Sequence, residues 1–537
     1  MAGKKYSKMN HSYLSYLLLI FCSGGIILGL EVLASRIMSP YFGVSLYIWA
    51  GILSITLIGL SLGYYFGGIM ARRIKTESVV YYFLLFPAIT PIAIFLSRII
   101  YPDLFHYLAA SIGLIVGSFI GCMVLLGVPL ILLSSMNPLL IALGQSQAHS
   151  QGDGGAGRVF GISTIGSVAG VIGTAFILIP NIPNSKGILI LAVLLGLLAL
   201  LTTLISPPDN KRYKYNVIIA SLIGITLCTG SLFFQRNNQE GANWHVVEEF
   251  PSFFNTIKVV DYKTDRGSKE RVYMQEGIPQ SVIDITTGES LLGVNYTLLN
   301  SAISVHPKAE SALVLGVAGG LVPVMLKERG FQVDAVDVNK KSFFIAEKYF
   351  NFNPEGITTY IEDARTFANN CPKSYDIVYV DLYHSIAPPD YLMTREFFYS
   401  LSQCINPNGI LAMNTVQSTL NSRPLKLLQS TLLSVFTDLV MLRNIPDPEI
   451  LEDNMILLAS LHNLPDNFDV DSTDVPEPMK NIFQKMVSSI SNIYKKDLLD
   501  IRPVTDDMND ILSVYREYMM EVRREIVLNT DKELLLN

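Results

Sequence analysis

Apolar positions crowd the first 240 residues and thin out abruptly afterwards. Runs long enough to cross roughly 30 Å of hydrocarbon occupy 13–34, 46–70, 79–100, 107–135, 158–181, 187–206 and 215–234. They predict seven membrane-spanning helices. Between 243 and 310 the pattern becomes alternating and β-branched, as in NTIKVVDY and ERVYMQEGIPQSVIDI around a DRG turn, which predicts a small β-rich module. From 311 the rhythm changes again. Short strands (ALVLG, QVDAVDV, TTYIEDA, YDIVYVDLY, GILAMNT) alternate with helical stretches such as LVPVMLKERG and KSFFIAEKYF. That alternation predicts a parallel sheet covered on both faces. The expected organisation is a transmembrane domain over 1–240, a β-rich module over 241–310 and an α/β Rossmann-like domain over 311–537.

Charge follows the same division. Residues 1–240 hold 14 Lys and Arg against 6 Asp and Glu, leaving 26 and 40 for the rest of the chain. An acidic second half repels phosphates and so disfavours nucleic acid as a partner. It suits a cationic substrate, although on charge alone an acidic surface that keeps the domain solvated is the simpler account. Ten basic residues (Lys4, Lys5, Lys8, Arg72, Arg73, Lys75, Arg158, Lys211, Arg212, Lys214) flank one side of seven spans, and Arg36, Arg98, Lys186 and Arg236 flank the other. The positive-inside rule then places the chain after the spans outside, whereas a cytosolic nucleoside requires it inside. Both readings stay open, with a multi-pass cell (inner) membrane protein expected in either case.

Within the spans, Gly59, Gly63 and Gly67, and Gly166 and Gly170, recur four apart and predict close helix packing. Glu31, near the end of the first span, requires a partner or a polar interior to face, with Arg36 just beyond it. Cys22, Cys122 and Cys228 read as small hydrophobes, and Cys371 and Cys404 are far apart. No CxxC pair indicates a zinc site, and no disulfide is expected.

Ligands of parallel sheets bind at the carboxyl ends of the strands. Four features fall there. The turn Gly316-Val-Ala-Gly319-Gly320 lets backbone approach a ligand. Asp337, about 20 residues on, is placed to accept ribose hydroxyls. Asp363-Ala364 suits an adenine amino group. Asp381 ends an apolar strand. A lone Asp at a strand end is commonly a helix cap, but four features at successive ends predict a nucleoside site. The turn is not GxGxxG, which argues against a nicotinamide dinucleotide.

EGIPQS (276–281), Tyr296, HPKAESALVLGVAGG (306–320), DVNKKSFFIAEKYF (337–350), EDAR (362–365) and YDIVYVDLYHSIAPPDYLMTREFF (375–398) resemble the spermidine synthase (polyamine aminopropyltransferase) family, of the class I methyltransferase-like fold. LEVLASRIMSPYFGVSLYIWAG (30–51) and GRVFGISTIGSVAGVIGTAFILIP (157–180) resemble bacterial proteins that fuse spans to such a domain. The resemblance implies aminopropyl transfer from decarboxylated S-adenosylmethionine to an amine, with no prosthetic group and no metal. It implies that Gly316, Gly319, Gly320, Asp337, Asp363 and Ala364 hold the nucleoside, that Gln280 and Tyr296 serve the substrate, and that Asp381 is the catalytic base. Soluble members are often homo-oligomers. They carry acids where this chain has Ala318 and His384, so the acceptor amine stays open. Asp506 and Asp507, in RPVTDDMNDIL, read as caps of the following helix. Two rivals remain: a methyltransferase using S-adenosylmethionine, and a non-catalytic membrane protein that binds a nucleoside or polyamine.

Overall fold

The structure, a computed structural model, describes residues 2–43, 46–148, 155–234, 240–264, 267–383, 388–417, 423–443, 453–465 and 468–536. The chain divides into two compact units. The first holds residues 1–239, 250–256 and 524–537; the second holds 240–249 and 257–523.

The first unit is helical: α1 (Ala2–Phe42), α2 (Leu46–Arg73), α3 (Thr76–Tyr107), α4 (Leu114–Ser134), α5 (Met136–Ala148), α6 (Ala156–Gly173), α7 (Asn184–Ile205) and α8 (Lys211–Phe234). Among the described residues, seven segments are long and apolar enough to cross a membrane, α4 and α5 forming one of them. Small residues set the packing. A Cβ on Gly63 would lie 1.8 Å from Ser134 Oγ, and one on Gly170 would lie 2.2 Å from the Gly25 carbonyl oxygen. Only glycine allows α2 to meet α4, and α6 to meet α1, at that separation. Ser135 Oγ donates to the Gly63 carbonyl at 2.9 Å across the first of these seams. Glu31 is buried with Thr56 facing it. Arg36 donates instead to the carbonyls of Phe253 and Phe254.

The second unit opens with an antiparallel sheet of β1 (Trp244–Phe250), β2 (Ile257–Lys263), β3 (Lys269–Gln275) and β4 (Ile278–Asp284). Helix α9 (Gly293–Val305) leads to the α/β region: β5 (Ser311–Leu315), α10 (Leu321–Glu328), β6 (Gln332–Asp337), α11 (Lys340–Tyr349), β7 (Ile357–Ile361), α12 (Ala364–Asn369), β8 (Tyr375–Val380), α13 (Arg395–Gln403) and β9 (Ile405–Gln417). Then come α14 (Arg423–Leu433), β10 (Asp438–Arg443), β11 (Asp453–Ser460), α15 (Lys480–Val487), β12 (Ser491–Asn492) and α16 (Ile511–Asn529), whose end, with α17 (Lys532–Leu535), belongs to the first unit. The eight strands run β12-β10-β11-β9-β8-β5-β6-β7. Strands β5 to β9 pair in parallel, as their hydrophobic runs predict. Strands β10 to β12 add an antiparallel edge that the sequence reading did not anticipate.

The structure corrects one further expectation. Cys371 and Cys404 form a disulfide, with their Cα atoms 5.8 Å apart. Their separation of 33 positions in the sequence carries no spacing signal. The cysteines meet because one lies just past α12 and the other closes α13, two helices packed side by side.

Candidate active site

Strand order places β5 at the centre of the parallel strands, between β8 and β6. Its carboxyl end runs into the glycine turn. Gly316 has φ +91°, and a Cβ there would lie 2.1 Å from the Asp381 carbonyl oxygen. The turn and the end of β8 are thus in backbone contact, and only glycine fits between them. Ala318 also takes a left-handed conformation, φ +46°, which costs a residue with a Cβ roughly 1 kcal/mol.

The amides of this turn are bonded within the protein. Gly316 N–H donates to the Val336 carbonyl at 2.9 Å, and Gly320 N–H to the Val317 carbonyl at 2.7 Å. Val317 N–H donates to Asp337 Oδ2 at 3.0 Å, and Gly319 N–H to Ser281 Oγ at 3.0 Å. These four amides do not form an open nest for phosphate. The turn therefore suits an uncharged nucleoside rather than a pyrophosphate. Ser281 lies on β4, beside Gln280, so the small sheet is tied directly to the turn.

Asp337 ends β6. Its Oδ1 accepts from Asn339 N–H at 2.7 Å while Oδ2 holds the turn. Burial pushes its carboxyl above the ordinary value, and these N–H donors pull it back. Tyr273 on β3 lies beside it, bonded to Ser342 Oγ at 3.2 Å and accepting from Gln275 Nε2 at 3.3 Å. Asp363 caps α12, accepting from Arg365 and Thr366 N–H at 3.0 and 3.1 Å. Its other oxygen accepts from the Tyr391 hydroxyl at 2.6 Å. Ala364, next to it, is buried.

Asp381 follows β8. Asn414, on the adjacent strand β9, donates Nδ2 to Asp381 Oδ1 at 3.0 Å. Burial pushes this carboxyl up to about 6, and the Asn414 bond opposes the rise. Asn414 itself is buried, and its Oδ1 has no hydrogen-bond partner among the described residues. The site thus pairs a carboxylate of elevated basicity with an unfilled acceptor beside it, an arrangement suited to a cationic or amine ligand.

The fold gathers Gly316, Gly319, Gly320, Asp337, Asp363, Ala364 and Asp381 at the carboxyl ends of neighbouring strands, with Gln280 adjoining Ser281. Tyr296 is engaged elsewhere: its hydroxyl donates to the Ser290 carbonyl at 3.2 Å, and its ring packs with Val475 and Phe483. His384 lies outside the described residues. Asp506 does not cap α16. It receives both terminal nitrogens of Arg365, the residue after Ala364, while its own N–H donates to Glu396. Asn414 and Tyr273 carry no local signal in the sequence because each reaches the site from a different strand, while Ser281 lies within the EGIPQS stretch without a role marked for it. Alternation marks them only as core positions.

Residues 293–469 match the spermine/spermidine synthase domain model. A polyamine aminopropyltransferase of Vibrio vulnificus (strain CMCP6) is 32% identical over 120 residues, covering 21% of this chain and 40% of its own. An N-terminal histidine N-methyltransferase of Emericella nidulans is 31% identical over 165 residues, 29% of each chain. The chain thus spans less than half the length of either curated relative. The crystal structure of spermidine synthase from Thermotoga maritima aligns with 48% of this chain and 88% of its own, at 15% identity and a TM-score of 0.36. The glycine turn, Asp337, Asp363 and Asp381 all fall inside the segment that matches the spermine/spermidine synthase domain.

Proposed function

We propose that this protein is a membrane-embedded aminopropyltransferase that takes its group from decarboxylated S-adenosylmethionine and passes it to an amine. The observation that carries the reading is Asp381, a buried carboxylate pushed up to about 6, held by Asn414 and touching the glycine turn through its backbone. A protonated amine is no nucleophile. At neutral pH the Asp381 carboxylate is mostly ionised, yet basic enough to orient an ammonium and accept its proton. The amine nitrogen then bonds to the terminal carbon of the aminopropyl group as the carbon–sulfur bond breaks. The sulfonium leaves as a neutral thioether, and the proton rests on Asp381. Asp337 and Asp363 hold ribose and adenine in this reading, and Gln280 adjoins the transferred group. The seven apolar helices embed the protein in a bilayer.

The test incubates the purified full-length protein with decarboxylated S-adenosylmethionine and a panel of mono- and diamines. Release of methylthioadenosine is expected, and none with any amine overturns the reading. The likeness to an N-methyltransferase favours a second reading, methyl transfer. Replacing the donor by S-adenosylmethionine separates the two: S-adenosylhomocysteine as the product supports the second.

A further inference from the structure

We propose that the region bearing the glycine turn and Asp381 works on the oxidising, non-cytoplasmic side of the membrane. The inference rests on reading the seven helices as spans and is independent of the reaction assigned above.

Three sets of observations agree. The first is charge. Arg72, Arg73 and Lys75 lie where α2 gives way to α3, and Lys211, Arg212 and Lys214 where α8 begins. These helix ends share one side of the bundle. The other side has Arg36 at the end of α1, Arg98 late in α3 and Lys186 early in α7, with Asp103 among them. Short connections rich in Lys and Arg stay in the cytoplasm. The charge-poor side is therefore the outer one.

The second is where the chain goes after the spans. Inside the helical unit, Arg36 holds the carbonyls of Phe253 and Phe254, and Asn184 Nδ2 lies 3.4 Å from Thr256 Oγ1. Arg524 donates to the Ala110 carbonyl at 3.2 Å, and Lys532 pairs with Asp103. Arg36, Asp103, Ala110 and Asn184 all belong to the charge-poor side. Chain from before β2 and chain from the end of α16 both reach it. An even number of crossings would have taken them to the other side.

The third is cysteine chemistry. The chain has five cysteines. Cys22, Cys122 and Cys228, within the spans, are free. Cys371 and Cys404, the two beyond residue 240, are joined. Their Cα separation of 5.8 Å is ordinary for a disulfide. Such bonds persist in oxidising compartments and are reduced in the cytosol. Free thiols within the bilayer and a closed bond beyond it are the pattern an outward-facing domain produces. One consequence does rest on the reaction proposed above: donor and amine must then both be present outside, so a step that carries a cationic nucleoside across the bilayer has to precede it.

The experiment uses the full chain in bacterial cells. Alkaline phosphatase, active only where disulfides form, is fused after Asn537 or inserted at Asp209; green fluorescent protein is placed at the same two positions. Phosphatase activity after Asn537 and fluorescence at Asp209 are expected. The reverse pattern overturns the proposal. In parallel, thiols are trapped with a polyethylene glycol maleimide before and after reduction. Reduction should add two labels to the wild type and none to the Cys371→Ser, Cys404→Ser double variant. Labelling of both cysteines without reduction also overturns the proposal. Extraction of the protein by alkaline carbonate would remove the reading of the helices as spans, and this inference with it.

Discussion

Asp381 is asked to be buried and charged at once. Its folded value, about 6, lies above that of a carboxyl in an unfolded chain. The sign follows directly. At low pH both states are protonated and the group costs nothing. As pH rises through the ordinary carboxylate range toward and past 6, the unfolded chain ionises first and the native state loses stability. Asp381→Asn keeps the bond from Asn414 and removes the charge. It should abolish most turnover, by about 10²- to 10⁴-fold, while raising stability at pH 7 by on the order of 2 kcal/mol. Kinetics and denaturant titration of the same preparation check both. The wild-type kcat/KM should fall below about pH 6, where the base is protonated. Ala318 offers a second prediction. Aspartate tolerates its left-handed backbone better than alanine does. Ala318→Asp should therefore fold normally and lower KM for diamines by about tenfold, the worth of one charge-assisted hydrogen bond. Steady-state kinetics over the amine panel measure it. Asp337 and Asp381 were legible in the sequence because a carboxylate at a strand end is a local signal. Asn414 was not. It lies 33 residues from its partner, and only the parallel pairing of β8 with β9 makes the two neighbours.

Helix α12 shows how an element can carry two duties. Asp363 caps its first turn, and Arg365, on that same turn, is clamped by Asp506 from beyond the sheet's edge strands. The pair is partly exposed, so its coupling energy should be modest, about 0.5–1 kcal/mol in a double-mutant cycle of Arg365→Ala and Asp506→Ala. Donor KM should move more than global stability does, because the clamp holds the stretch that includes Asp363. In the helical unit, Gly63→Val should sharply reduce the yield of folded protein in detergent, since Ser134 and the Ile131 carbonyl already occupy the space of a Cβ. Fluorescence size-exclusion chromatography reads that loss. The spans and β5 to β9 were predictable because long apolar runs and strand–helix alternation are periodic over many residues. The antiparallel edge was not: DLVMLR and DNMILLAS are short apolar stretches that become strands only by pairing with each other and with β9. The Cys371–Cys404 link was equally invisible, being a product of how α12 meets α13.

At the scale of the whole molecule, composition changes near residue 240, and the packing does not follow it. Residues 250–256 and 524–537 come from the acidic, soluble-looking half and yet pack with the apolar helices. A fragment beginning at 241 should therefore carry two stretches stripped of their companions. It is expected to aggregate more readily and lose amide protection there, as hydrogen exchange of fragment and full chain would compare. The same interleaving bears on ancestry. A catalytic head joined to a carrier by one linker can be exchanged for another head in a single recombination. Here the carrier holds on to a loop near the head's beginning and to its last helical turns, so a substitute would have to arrive with both.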